Sequence, residues 1–167
     1  SLDYFIDIHK IGNIDFIKID VQGAELDIFQ GASKTLKNVL KIVCEVEFIP
    51  HYENQPLFGD VCNYLIEHDL MFNKFLGLSG RALKPIMLNN NPNLPSQHIW
   101  TDAVFVHHIQ KINFLTDEKL IKLSLLACVY YSLDLTFYCL SEYDKRHSTS
   151  LAKDWMTKIA SEKKPNL

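Results

Sequence analysis

Acidic side chains and a histidine follow two short apolar segments of this sequence. Asp20 ends the first segment and is followed directly by Val21 and Gln22. Glu47 and His51 stand at the end of the second. A carboxylate or an imidazole beside a hydroxyl group can take its proton, and histidine has an unperturbed pKa of about 6.5, close to neutral. These residue types indicate general base chemistry, with Asp20, Glu47 and His51 as the candidates.

The two segments that precede these residues read as buried strands. Residues 13–20, NIDFIKID, and 41–48, KIVCEVEF, are short, nearly continuous and rich in β-branched residues, which is typical of a parallel sheet. Gly23 permits a tight turn after the first, and a helix is predicted from about Ala24. Because ligands of open α/β sheets bind beyond the carboxyl ends of parallel strands, the two groups should face one crevice if the strands are adjacent.

The rest of the first 110 residues continues the alternation of helix and strand. A helix is predicted over 61–70, strands over 71–76 and 100–109, and a long loop over 77–98. This alternation predicts an α/β sheet. The last strand follows a loop, so it should pair antiparallel with its neighbour.

The charged residues within these strands leave other interpretations open. Buried charges are normally paired, so Lys18 could form a structural ion pair with Glu45 or Glu47. Asp20 could cap the helix that follows it. Asp20, Glu25, Glu45 and Glu47 could also form an oxygen-rich Mg²⁺ or Ca²⁺ site, although nothing in their spacing requires a metal.

The pattern changes after residue 115. Helices are predicted from Thr116, over 133–144 and over about 150–162, which gives two domains, 1–110 and a helical extension, 111–167. The apolar stripe of the extension is typical of a packing face. A homodimer interface through Leu125, Leu126, Val129 and Tyr130 is the alternative.

Composition and charge limit the partners and the cellular environment expected for this protein. The 167 residues have a net charge of −3 and no basic tract, so neither nucleic acid nor a membrane is the expected partner. No segment has the roughly 18 uninterrupted apolar residues of a membrane span. The four cysteines form no CxxC pair, and we expect a reduced, cytoplasmic protein.

Several segments together resemble the FkbM family of S-adenosylmethionine-dependent methyltransferases. Residues 14–32, IDFIKIDVQGAELDIFQGA, are similar to the IDLIKIDVEGAE-like strand and turn of that family and to the leucine-rich helix that follows it. SLDYF, CEVEFIPHY, QPLF and WTDAVFV are similar to its other segments, so that the resemblance covers about residues 1–108. Gln22 departs from the pattern, because many members have Glu there.

The resemblance implies the C-terminal half of a class I, Rossmann-like sheet whose last strand is antiparallel. In such folds a glycine-rich turn and an acidic residue, both in the N-terminal half, hold most of the cofactor. This sequence has six glycines and no GxGxxG or GxGxG. The cofactor-binding half is therefore expected to be missing from this chain.

The resemblance also implies roles for the residues at the strand ends. The expected reaction is methyl transfer from S-adenosylmethionine to a hydroxyl group of a glycan or secondary metabolite. Asp20, Glu47 and His51 are then the catalytic candidates. The residues expected to bind cofactor are Asp20, Val21 and Gln22, and those expected to bind substrate are Glu25, Glu45 and Tyr52.

Two other functions remain open at this point. A non-catalytic interaction protein could be built on a truncated methyltransferase fold, although an unpaired apolar first strand would favour aggregation. A different nucleotide-binding α/β enzyme, such as a dehydrogenase, would show its own glycine and acidic pattern upstream.

Overall fold

The computed structural model describes residues 1–85, 91 and 97–161. The chain divides into two compact units, Ser1–Ile109 and Gln110–Leu167. The predicted domains, 1–110 and 111–167, have their boundary one residue further along the chain.

The first unit alternates helices and strands. Its described elements are α1 (Leu2–His9), β1 (Phe16–Ile19), α2 (Glu25–Gln30), α3 (Ser33–Leu36), β2 (Lys41–Glu47), α4 (Phe58–Ile66), β3 (Leu70–Phe75), β4 (Ser79–Arg81) and β5 (Gln97–His107).

Each predicted strand is present, but the ends of several elements differ from the prediction. α4 begins before the predicted residue 61 because the Asp60 side chain accepts a hydrogen bond from the backbone N–H of Leu57 at 2.8 Å and so satisfies the helix start. It ends at Ile66 because the chain turns through Asp69, whose φ is 62°. The short strand β4 lies in the segment predicted as a long loop, of which 86–90 and 92–96 are outside the described residues.

The strands form one mixed sheet in the order β1-β2-β5-β3, with β4 paired to β5. β1 and β2 are parallel, so their carboxyl ends meet at one edge of the sheet, as the crevice prediction requires. β5 is antiparallel to both β2 and β3. The predicted α/β sheet with an antiparallel last strand is therefore present in the described residues.

Alternation along the strands divides their side chains between the two faces of the sheet. On one face, Ile42, Cys44 and Val46 of β2 join a buried apolar cluster with Phe29 of α2 and Leu65 of α4. The polar and charged residues of the site belong to the other face or to the strand ends. The apolar cluster fixes the helices and strands from which the site projects.

The predicted ion pair of Lys18 with Glu45 or Glu47 is wrong. The Lys18 ammonium instead lies 2.7 Å from a carboxylate oxygen of Asp102 on β5. β5 brings Asp102 directly opposite Glu45 in the sheet, and the sequence alone does not reveal that neighbour. Both side chains are about two-fifths exposed, so water screens the pair and it contributes little to stability.

The second unit is helical. It contains α5 (Asp117–Val129), α6 (Leu133–His147) and α7 (Leu151–Ser161), and the 3₁₀ helix Ile109–Phe114 leads into it. The predicted helix start is confirmed, since the Thr116 side chain accepts a hydrogen bond from the N–H of Lys119. The predicted end of the last helix, Glu162, lies outside the described residues.

Contacts between the helices give this unit its own structure. Asp117 at the start of α5 pairs with both Arg146 and His147 at the end of α6.

Among the described helices, none is long and apolar enough to cross a membrane.

Neighbouring residues of α4 test the role of the apolar cluster. Leu65 is fully buried and Ile66 is 52% exposed. We expect Leu65→Ala to lower the free energy of unfolding by about 2–5 kcal/mol, because it leaves a cavity in the core, and Ile66→Ala to lower it by less than about 1 kcal/mol. Urea unfolding followed by circular dichroism measures both values, and equal losses would contradict this description of the core.

Candidate functional site

The turn after β1 is held by the carboxylate of Glu25. One of its oxygens accepts a hydrogen bond from the N–H of Val21 at 2.8 Å, and the other accepts one from the N–H of Gly23 at 2.9 Å. Glu25 is 3% exposed. Its position in the first turn of α2 favours a negative charge, because the helix start carries partial positive charge. Both oxygens are therefore used inside the turn, which favours a positioning role over the predicted substrate contact.

Gln22 links the ends of the two parallel strands. Its side-chain nitrogen donates to Asp20 at 2.9 Å and to Glu45 at 2.7 Å. The backbone of Gln22 is left-handed, with φ of 56°. Asp20 does not cap the next helix, since the residue at the cap position is Ala24, without a side-chain hydrogen bond. The amide thus donates to two carboxyl groups whose negative charges repel each other.

Gln55 connects the loop after β2 to the turn after β1. Its side-chain oxygen accepts hydrogen bonds from the N–H groups of His51 at 2.7 Å and Tyr52 at 3.2 Å. Its amide nitrogen lies against Gly23, where an added Cβ would be 2.5 Å away. Gly23 has φ of 101°, which side chains other than hydrogen rarely tolerate. The close approach and the backbone conformation both require glycine here.

These contacts border a cavity of about 460 Å³ at the carboxyl ends of β1 and β2. This volume lies within the range of ligand pockets in proteins. Trp100 of β5 completes the wall, since it lies directly opposite Glu47 in the sheet. The lining residues are Gln22, Glu45, Glu47, His51, Tyr52 and Trp100.

Negative charge is concentrated at this cavity. Burial, followed by the charges of Glu25 and Glu45, raises the pKa of Glu47 to about 7. Burial, followed by the charges of Asp20 and Glu25, also raises the pKa of Glu45. Glu47 is 5% exposed, so water stabilises its charge poorly. A carboxyl group that titrates near neutral pH is suited to both accepting and releasing a proton.

Lys18 is a nearby cation on β1, two residues before Asp20. Partial burial disfavours its charge, but the hydrogen bond and the charge of Asp102 outweigh this and raise the pKa of Lys18. It therefore remains charged and bonded to Asp102, while Gln22 is the group that contacts Glu45.

The structure brings most of the predicted site residues together. Five of them line the cavity, and Asp20, Val21 and Glu25 lie beside it in the turn after β1. Trp100 and Gln55 were missed. Trp100 was recognised only as the start of a strand, because its position opposite Glu47 depends on pairing between distant segments. Gln55 was recognised only as the first residue of the QPLF segment.

The alternative of a divalent metal site receives no support from the geometry. Within the described ranges, no group of three or more His, Cys, Asp or Glu side chains is arranged to hold a metal ion. The donation of Gln22 to both Asp20 and Glu45 uses oxygens that a cation would need.

The comparison with family models identifies a class of protein. Residues 1–72 match the model of the methyltransferase FkbM domain, which indicates a methyltransferase. The predicted resemblance to the FkbM family is confirmed over this part of the chain, which contains every predicted site residue. No curated protein and no solved structure gives a match.

Substitution of Gly23 tests the contact between the turn and Gln55. We expect Gly23→Ala to lower the free energy of unfolding by about 1–3 kcal/mol, because the backbone is left-handed and the new methyl group would overlap the Gln55 amide. Gly59→Ala is the control, since nothing lies within 4 Å of a Cβ added there. Thermal unfolding measures the stability of both variants, and equal losses would disprove the close contact between Gly23 and Gln55.

The ionisation of Glu47 should reduce stability as pH rises. Its folded pKa of about 7 lies above the ordinary value of 4.5, so the folded state binds the proton more tightly and loses stability between these two pH values. We therefore expect Glu47→Gln to gain stability relative to wild type on going from about pH 5 to about pH 8. Chemical denaturation at both pH values measures this, with Glu53→Gln as control. A constant difference would rule out the raised pKa.

Proposed function

We propose that this chain contributes the acceptor-binding side of an S-adenosylmethionine-dependent O-methyltransferase. The observation that carries the proposal is the cavity at the carboxyl ends of β1 and β2, which is lined by both a buried carboxyl group with a pKa of about 7 and a histidine. The FkbM match over residues 1–72 supports methyl transfer. An antiparallel strand beside a parallel pair is consistent with the class I, Rossmann-like sheet that the family implies.

The turn after β1 fits only a part of the donor. The side chains of Asp20 and Val21 are exposed there and are suited to contact it. The N–H groups of Val21 and Gly23 are already bonded to Glu25, and the sequence contains no GxGxG turn. S-adenosylmethionine, when bound, supplies the methyl group as an electrophile. Residues of this chain would therefore contact only the edge of the donor, and most of the site residues would bind the acceptor.

Glu47 is the proposed general base. It is buried, it lines the cavity, and a pKa of about 7 leaves a substantial fraction of it ionised at neutral pH. Such a group takes the proton of the acceptor hydroxyl as the oxygen attacks the methyl carbon. His51 also lines the cavity and is placed to pass that proton to solvent, since its ring is exposed.

The other lining residues align the acceptor. Gln22 and Glu45 offer a bonded amide and carboxylate, and Trp100 adds an aromatic surface to the same lining. In-line transfer requires the oxygen and the methyl carbon to be held at about 3–3.5 Å. The hydroxyl acceptor is proposed to belong to a glycan or a secondary metabolite, and the reaction is proposed to take place in the cytoplasm.

Self-association through the helical unit is a further part of the proposal. Leu125 and Val129 of α5 are 62% and 70% exposed, one turn apart on the same helix face. Exposed apolar side chains at this spacing are suited to pack against a second copy of the chain.

Methyl transfer can be measured in a protein that joins these residues to a donor-binding half, through the formation of S-adenosylhomocysteine from S-adenosylmethionine with a panel of hydroxylated acceptors. We expect turnover with at least one acceptor, and we expect Glu47→Gln to lower kcat by about 10²–10⁴ because the general base is lost. Glu53→Gln, an exposed residue of the same loop, should retain wild-type turnover. Full activity of the Glu47 variant would refute the role of Glu47, and the absence of donor binding and turnover would refute the function.

A further inference from the structure

The cavity is lined by both aromatic and acidic side chains. His51, Tyr52 and Trp100 supply the rings, and the His51 and Trp100 rings meet edge to face with their centroids 6.5 Å apart. Arg81 lies 5.4 Å from the centre of the Trp100 ring but does not line the cavity. Trp100 thus contributes an aromatic surface to the lining.

The charge at the cavity is negative. Glu45 and Glu47 line it, and Asp20 and Glu25 lie close enough to raise their pKa values. None of the described lining residues is a lysine or an arginine. The ammonium of Lys18 is bonded to Asp102. An anionic ligand would therefore meet repulsion here that no cation of the lining relieves.

The charge of Glu47 is poorly stabilised in the folded chain. Burial, followed by the charges of Glu25 and Glu45, raises the pKa of Glu47 to about 7, even though a hydrogen bond from the Gln55 side chain lowers it. Glu47 itself is 5% exposed. A buried carboxylate is stabilised most by a charged donor, and the lining does not provide one.

We infer that the cavity selects acceptors that carry a protonated amine beside their hydroxyl groups, the chemical class of the amino sugars. An ammonium group has three donors for the carboxylates of Glu45 and Glu47. It is also attracted to the face of a nearby aromatic ring such as Trp100. The hydroxyl groups of the same molecule would remain available for methyl transfer. This inference rests on the proposed function, because it names the acceptor of the same site.

Binding of three related sugars without the methyl donor tests the inference. D-glucosamine carries the amine, N-acetyl-D-glucosamine is its neutral counterpart, and glucose 6-phosphate is anionic. The chain has two tryptophans, so the indole N–H signals in ¹H–¹⁵N spectra report on Trp100 at the cavity and on Trp155 in α7 as an internal reference. We expect glucosamine to shift the Trp100 signal at a concentration at least about tenfold lower than either other sugar, with Trp155 unmoved.

Substitutions of the two lining glutamates complete the test. Glu47→Gln and Glu45→Gln should each abolish the preference for glucosamine over N-acetylglucosamine, and Glu53→Gln should keep it. The Glu45 variant retains a readout if the Glu47 variant does not fold, since Glu45 is only half-buried. Equal or tighter binding of either other sugar, no response to glucosamine at about 50 mM, or a preference that survives both substitutions would overturn the inference.

The donor-free design separates this inference from the proposed function. If glucosamine binds selectively in the donor-free test but the methyl-transfer assay gives no methylated product, the function is refuted and the selectivity stands. Methylation of neutral acceptors in preference to glucosamine would refute the selectivity and leave the function in place.

Discussion

The two hydrogen bonds that Glu25 accepts from Val21 and Gly23 determine the geometry of the whole site. They hold the chain in a turn at the end of β1, so that Gln22 extends toward Asp20 and Glu45. The cost of burying the Glu25 carboxylate is offset by these bonds and by the start of α2. Burial is the main cause of the raised pKa values of Glu45 and Glu47, and the charge of Glu25 adds to it. One buried carboxylate thus holds the turn beside the cavity and contributes to the proton affinity of its lining.

Amide side chains complete this arrangement. Gln22 donates to two carboxyl groups, and Gln55 holds the loop of His51 and Tyr52 against the turn at Gly23. Amides are suited to this position because they donate and accept hydrogen bonds without adding charge. A glutamate at position 22, common in the family that the sequence resembles, would add a further negative charge beside Glu45. Glutamine at this position therefore reduces repulsion in a cavity that is already acidic.

The strand-end residues could be predicted from the sequence because their signal is local. Apolar β-branched runs followed by polar residues mark the carboxyl ends of strands, and Gln22, Glu45, Glu47, His51 and Tyr52 do meet in the cavity. Partners that depend on pairing between distant segments could not be predicted. Asp102 is the partner of Lys18, and Trp100 is the neighbour of Glu47 on the next strand. Both positions follow from the register of β5, which cannot be predicted from residues 13–52.

The position of β5 between β2 and β3 also has a consequence for the order in which the chain folds. β2 pairs along its length with β5, which joins Lys41 to Val106, so the chain must be synthesised past residue 106 before this edge of β2 is covered. Contacts between such distant segments form slowly, because a long loop must close first. During that interval the unpaired N–H and C=O groups along this edge of β2 are available to other strands. Nascent chains of this protein should therefore depend on early protection of β2 while they are still attached to the ribosome.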